Sequence, residues 1–321
     1  MELTRENYYK AEANQEFLSC SAYDSYMECE AAALAKERGR FRPKASKAFV
    51  LGNYFHTYFE SQEAHDEFIK DHAEDLFTKT SITPKVLKSG IVKIPTPVKL
   101  ADTKKIDTMI RTVMNDDLMR RFIEMPGENE KIMTGTLFGV PWKMRMDKVV
   151  PGIIIDYKTC ASIWETSYDP EQQRRVTFVE KYGYTKRAAV YREIYKQNMG
   201  EYPLFLLLCV SKEDPPDKEP ILVSNEQVLQ YELSKIQDRT PRIQRIRDGS
   251  IKPLRCGTCE YCRLTKQCRS IKTHTEIDPE FRQREEEYDE LWLSSEVVAD
   301  VSEQAGDDDM PDLSGGPEME V

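Results

Sequence analysis

The sequence predicts an α/β body with a helical N-terminal lobe, a cysteine-rich segment behind it and an acidic tail. Three features point there. Apolar residues recur at helical spacing up to residue 122. Two runs of period two then flank a Val150-Pro151-Gly152 turn, as the strands of a hairpin do. Residues 203–210, PLFLLLCV, are almost wholly apolar over the length of a buried strand, far short of a membrane span.

Along the chain, residues 21–38 are Ala/Glu-rich with helical spacing, and residues 47–69 form a second helix carrying Phe55, Tyr58, Phe59 and Phe68. Residues 80–97 hold two prolines near their end and connect elements. Residues 102–122 set Ile106, Met109, Ile110, Val113 and Met114 on one stripe, an amphipathic helix. The period then changes, and residues 136–149 and 152–159 are the two hairpin strands. Helical spacing returns over 182–199, a third strand follows over 202–211, and a helix over 225–246 leads into the cysteines. Beyond about residue 295 the chain has too little apolar surface to order itself. The expected division is a body over 1–275, including the cysteine segment 256–268, and an acidic, largely disordered tail over 276–321.

With 40% hydrophobic and 32% charged residues, the composition suits a soluble globular protein. No basic-then-apolar leader opens the chain, so a cytoplasmic location and no membrane association are expected. The net charge of −10 argues at first against a polyanionic partner. Residues 276–321, however, hold seventeen Asp/Glu against two Arg, which leaves residues 1–275 at +5. A nucleic-acid-binding body is therefore permitted. The tail reads as a solvated segment, with a protein-binding or DNA-mimicking role as the alternative.

The chemical signal lies in the hairpin. In Ile153-Ile154-Ile155-Asp156-Tyr157-Lys158-Thr159, strand alternation puts Asp156 and Lys158 on one face. An acid and a lysine on an otherwise apolar strand are costly unless something offsets the desolvation. Across the turn, Asp147 can approach Asp156, and a divalent cation relieves the repulsion of two such carboxylates. Mg²⁺ prefers one or two carboxylates and keeps waters for a phosphate. Lys158 then fits beside the attacking water or the charge developing on phosphorus. The competing reading of Asp-x-Lys is a surface ion pair on an edge strand. Lys143 and Arg145 share a face with Asp147 and either neutralise phosphate or face solvent.

The spacing Asp147-x8-Asp156-x-Lys158 resembles the PD-(D/E)XK nuclease core, a central mixed sheet flanked by helices. Leu51-Gly52-Asn53-Tyr54-Phe55-His56 resembles the G-x-x-x-H motif of the RecB-like branch. There, Gly52 gives room for close approach, and His56 completes the metal shell with Asp147, Asp156 and the Tyr157 carbonyl. Residues 17–270 are most similar to phage RecE-type exonucleases, of the exonuclease VIII kind. These carry a Q-x-x-x-Y helix where this chain has Arg187 and Tyr191. Arg187 in place of glutamine implies an altered DNA contact, so Arg187, Tyr191 and Arg145 are the expected DNA-binding residues. Glu60, four residues after His56, reads as a solvated residue, with an approach to the metal or orientation of the imidazole as the alternative. Glu130 resembles an acid that some relatives place before the hairpin, but it is not counted in the site.

Cys256-x2-Cys259-x2-Cys262-x5-Cys268 is a dense thiolate set, of the kind that selects zinc or an iron–sulfur cluster. The last three resemble the C-terminal trio of iron–sulfur RecB-family nucleases. The fourth ligand of that family comes from far upstream, where Cys29 lies. The resemblance implies [4Fe–4S] on Cys29, Cys259, Cys262 and Cys268. Cys256 is the alternative ligand and Zn²⁺ the alternative metal. Cys20, Cys160 and Cys209 read as core residues.

The resemblance implies a Mg²⁺- or Mn²⁺-dependent deoxyribonuclease that resects double-stranded DNA ends for phage-type recombination in a bacterial host cytoplasm. A RecT-type annealing partner and a ring-shaped homo-oligomer are implied with it. The alternatives are an iron–sulfur single-strand nuclease trimming overhangs, and a non-catalytic DNA-binding protein that keeps the fold.

Overall fold

The structure is a computed structural model that describes residues 1–277 except 45, 79–84, 87–91, 94–96, 171, 269 and 272. The expected disorder of the tail falls on residues 278–321, outside the described ones. Two units are distinguished, Met1–Thr265 and Lys266–Val321. In the second, one short 3-10 turn spans Thr275–Ile277.

The first unit opens with three short helices, α1 (Ala11–Glu16), α2 (Cys20–Glu28) and α3 (Glu30–Glu37). The expected single helix over 21–38 is broken at Cys29, which sits extended between α2 and α3. Helices α4 (Lys47–Glu60) and α5 (Gln62–Asp71) likewise replace one helix over 47–69. Ser61 stops the first and caps the second by accepting the Ala64 N–H. A short α6 (Ala73–Leu76) and two paired two-residue strands, β1 (Lys85–Val86) and β2 (Val92–Lys93), lead to α7 (Ala101–Met114) and α8 (Asp117–Glu124).

The central sheet is mixed, in the order β3–β4–β5–β8–β9. Its strands are β3 (Glu128–Leu137), β4 (Val140–Val150), β5 (Ile153–Cys160), β8 (Leu204–Ser211) and β9 (Lys218–Leu222). The expected strand over 136–149 begins with the end of β3. Phe138 and Gly139, both at positive φ (51° and 76°), turn the chain between Leu137 and Val140. A left-handed phenylalanine is not the usual sequence signal for a two-residue turn.

Strands β5 and β8 pair in parallel, which requires a crossover. It runs through the hairpin β6 (Thr166–Asp169) and β7 (Arg174–Thr177), then α9 (Phe178–Lys181) and α10 (Tyr184–Met199). Helices α11 (Glu226–Arg247) and α12 (Glu260–Leu264) complete the unit.

Alternation along β5 and β8 divides the core between the two faces of the sheet. Ile154, Phe205, Leu207 and Cys209 pack with Trp142 against Ala188, Ala189 and Ile194 of α10, on the side that also takes α2 and α11. Ile155, Tyr157, Leu206 and Leu208 pack against Tyr54, Phe55 and Phe59 of α4 and Ile106 and Met109 of α7. Cys20, Cys160 and Cys209 are buried in the first cluster, as core residues. Among the described residues no helix is long and apolar enough to cross a membrane.

Candidate metal-dependent active site

Pairing between β4 and β5 runs from Val150–Ile153 through Val149–Ile154 to Lys148–Ile155, and stops there. Past that point β5 continues on β8, while β4 continues on β3 and bridges to Leu18 at Trp142. Asp147 and Asp156 are the first residues of the fork. The Tyr157 N–H, deprived of a ladder partner, donates to Asp147 Oδ2 at 2.8 Å. A split in the sheet therefore both positions Asp147 and is closed by it.

Asp156 is 2% exposed and Lys158 8%. Lys158 Nζ lies 2.5 Å from Asp156 Oδ2 and 3.9 Å from Asp147 Oδ2, and donates to the Tyr157 carbonyl at 2.8 Å. The ammonium thus sits between the two carboxylates. On the other side, Arg187 Nη1 of α10 is 3.2 Å from Asp156 Oδ1. Burial works against the Arg187 charge, but Asp156 opposite it holds the guanidinium firmly protonated.

His56 comes from α4, on the opposite face of the sheet. Its Nδ1 is 3.1 Å from Asp147 Oδ2. Burial alone would raise the Asp147 pKa, yet the charges of His56 and Lys158 and the Tyr157 N–H hold it well below the usual carboxylate range. Tyr157 stacks on Phe59 at 4.8 Å and fills the space under the fork. Gly52 does not serve a close approach between protein groups, since a side chain there would meet nothing within 4 Å.

The other expected residues are placed as follows. Tyr191 is buried beside the site, and its hydroxyl donates to the Arg145 carbonyl at 3.2 Å. Arg145 pairs with Glu130 rather than with either aspartate: its Nε is 2.7 Å from Glu130 Oε2, and its guanidinium lies 4.9 Å from the Tyr9 ring centre. Lys143 faces neither phosphate nor solvent, being buried and bonded to the Tyr8 carbonyl and Asn14 Oδ1. Glu60 pairs with Arg5 at 3.1 Å.

Glu130, which sequence spacing does not place in the site, lies across the hairpin from Asp147, between the pairs Asn129–Lys148 and Lys131–Met146. It is buried and holds a left-handed φ of 55°. Burial pushes its carboxyl up to about 7; Asp147 and Glu60 add to the rise, and Arg145 opposes it. The signal that could have found it is register: once the turn is set at Phe138–Gly139, residue 130 falls opposite 147.

The donor set (two carboxylates, an imidazole and a backbone carbonyl) is chemically that of a hard divalent cation. His56, Asp147 and Asp156 do not close into a ready-made cage among the described residues, because Lys158 and Arg187 occupy the Asp156 oxygens.

A second set does close. The sulfurs of Cys29, Cys256, Cys259 and Cys262 all lie within 4.8 Å of one another. The set brought together is thus the one with Cys256 in place of Cys268, which is exposed in the C-terminal unit. Gly257, at φ 78°, lets the loop turn back so that the Cys259 N–H reaches Cys256 Sγ at 3.3 Å. The backbone N–H groups of Cys259 and Thr258 draw the Cys256 thiol down to about 6, toward the thiolate that binds metal.

Residues 19–265 match the model of a PDDEXK-like domain of unknown function (DUF3799). Among solved structures, a "Putative exonuclease" from Eubacterium rectale is 32% identical with a TM-score of 0.74, over 87% of this chain and 99% of that one. SSO0001 aligns at 11% identity and a TM-score of 0.25, over 78% of this chain and 98% of that one. No curated protein matches the chain.

Proposed function

The chain belongs to the family of PDDEXK-like domains of unknown function (DUF3799), and from that premise we propose that it is a divalent-metal-dependent DNA nuclease. The observation that carries this reading is the Lys158 ammonium set between the Asp156 and Asp147 carboxylates where the sheet forks. A buried arrangement of this kind is expensive as structure and useful as chemistry.

His56, Asp147, Asp156 and the Tyr157 carbonyl would hold Mg²⁺ or Mn²⁺. When bound, the ion polarises a phosphodiester and acidifies water. Lys158 orients the attacking water and offsets negative charge growing on phosphorus. Arg187, beside Asp156, offers a guanidinium to a neighbouring phosphate oxygen. Tyr191 steadies β4 through the Arg145 carbonyl, and the Tyr157–Phe59 stack keeps water from beneath.

The 32% identical relative bears the name "Putative exonuclease", and the RecE-like motifs agree. We propose digestion from duplex DNA ends; recombination with a RecT-type annealing partner and a ring-shaped oligomer are what the RecE resemblance implies. The test is digestion of end-labelled duplex, nicked circle and single strand with Mg²⁺ or Mn²⁺. Loss of linear duplex with the circle spared is expected. Preference for single strands would replace this reading with overhang trimming, and no metal-dependent cleavage would leave a DNA-binding protein.

For the four cysteines we favour one zinc ion. Tetrahedral Zn–S bonds of ~2.3 Å set sulfurs about 3.8 Å apart. Cys29–Cys262 and Cys256–Cys262 are at 3.6 and 4.0 Å. A four-iron cluster, with its own irons and sulfides between the thiolates, needs wider spacing.

A further inference from the structure

We propose that the cleft lined by Arg187 and Arg145 binds an unpaired stretch of DNA strand, whose bases stack on Tyr9 and Phe49. This rests on the nuclease reading and adds the form in which the substrate is held.

The cleft has a volume of about 690 Å³, and Arg145 and Arg187 are among its lining residues. Arg187, whose Nη1 is 3.2 Å from Asp156 Oδ1, is the residue through which the cleft adjoins the candidate centre. Its volume falls within the roughly 300–1,000 Å³ of small-ligand sites, enough for a short run of nucleotides and too little for a duplex.

Two aromatic rings that also line the cleft are exposed, Tyr9 by 65% and Phe49 by 61%. Phe49 stands in the first turn of α4, one turn ahead of Asn53 and two ahead of His56. Tyr9 approaches from the N-terminal segment, which is fastened across the catalytic hairpin. Arg5 donates to the Asn129 carbonyl at 2.9 Å, and Lys143 to that of Tyr8. The Tyr9 ring is set edge-on to Tyr8 at 5.0 Å and 4.9 Å from the Arg145 guanidinium. It is therefore rigid although exposed, and little ordering cost remains for a base that stacks on it.

Aromatic faces flanking guanidinium groups are the combination that binds single strands irrespective of sequence. The Asn53 amide, also at the cleft, adds a hydrogen-bonding group for base edges or phosphates. Residues 1–18, which carry Tyr9, lie outside the family match.

The test uses the full chain in Ca²⁺ and two probes, a short oligo-dT carrying 2-aminopurine and a blunt hairpin duplex; cleavage by the wild type is scored in parallel with Mg²⁺ and Mn²⁺. Tyr9→Ala and Phe49→Ala should each weaken oligo-dT binding about tenfold. Both should lose the 2-aminopurine fluorescence change, and Tyr9→Phe should retain both signals. Thermal midpoints should stay within a few degrees of wild type, because both rings are exposed. If the wild type cuts DNA but both alanine variants bind the oligonucleotide as it does, the cleft is not the strand site and the nuclease reading stands. Equal weakening on oligo-dT and duplex would also overturn the proposal. A wild type that binds but never cuts keeps the cleft and removes the nuclease reading.

Discussion

The Arg187 guanidinium lies 3.2 Å from Asp156 Oδ1, so a buried carboxylate at the head of the fork already has a fixed cation before any ion or substrate arrives. The Q-x-x-x-Y motif that this helix resembles has a neutral amide at this position. The exchange adds a full charge where a divalent cation and a phosphate would both compete for the same neighbours.

Arg187→Gln should therefore change two constants in opposite directions. Half-maximal Mg²⁺ should fall by about three- to tenfold, because no guanidinium has to give up Asp156. KM for DNA should rise, because a charge-assisted phosphate contact is lost. Metal titrations of initial rate at two DNA concentrations read both. A rise in the metal requirement would contradict the competition.

Lys158→Ala should lower turnover by about a hundredfold or more, the scale of one removed transition-state donor. Binding of duplex in Ca²⁺ should change by less than about threefold. Arg187 still matches Asp156 in this variant, so folding should survive, as the unfolding midpoint can verify.

Glu130 predicts a pH dependence in the metal-free protein. Its folded carboxyl, pushed up to about 7 by burial, lies above its ordinary value of 4.5. Below the ordinary value both states are protonated and the group contributes nothing to the balance. As pH rises toward 7 the unfolded chain releases its proton first, so stability falls, and above 7 the loss is complete. The size is of order 3 kcal/mol. Urea unfolding at pH 5 and pH 8 should show this decline in wild type and a flatter profile in Glu130→Gln.

The cysteine site predicts one metal per chain, colourless if zinc. Cys262→Ser, at a buried position, should lose the metal and lower Tm by at least about 5 °C. Cys268→Ser should keep both. Elemental analysis and thermal scans decide, and visible absorption in the anaerobic protein would restore the iron–sulfur alternative.

The reach of the sequence differed between parts of the site. Asp156 and Lys158 were legible because strand alternation alone puts them on one face, and Asp147 because Pro151-Gly152 marks its turn. His56 was visible through a motif rather than through packing, since it reaches Asp147 from a helix on the far side of the sheet. Glu130 stayed hidden because its relevance depends on a hairpin register set by an uncommon Phe138-Gly139 turn. Cys256 and Cys268 could not be separated by spacing, because the choice depends on how a loop turns at Gly257. The helix breaks at Cys29 and Ser61 were missed because neither residue is a glycine or proline. Each acts through an extended backbone that spacing alone does not reveal.

The fork also limits what one common substitution can teach. Asp147 is at once a candidate metal ligand and the acceptor for the Tyr157 N–H that the parted strands leave unmatched. An inactive Asp147→Ala protein would be silent on metal binding, since the same change leaves a peptide group stranded and loosens the hairpin. Asp147→Asn keeps an acceptor oxygen for that N–H while removing the charge, and is the variant whose inactivity would be interpretable.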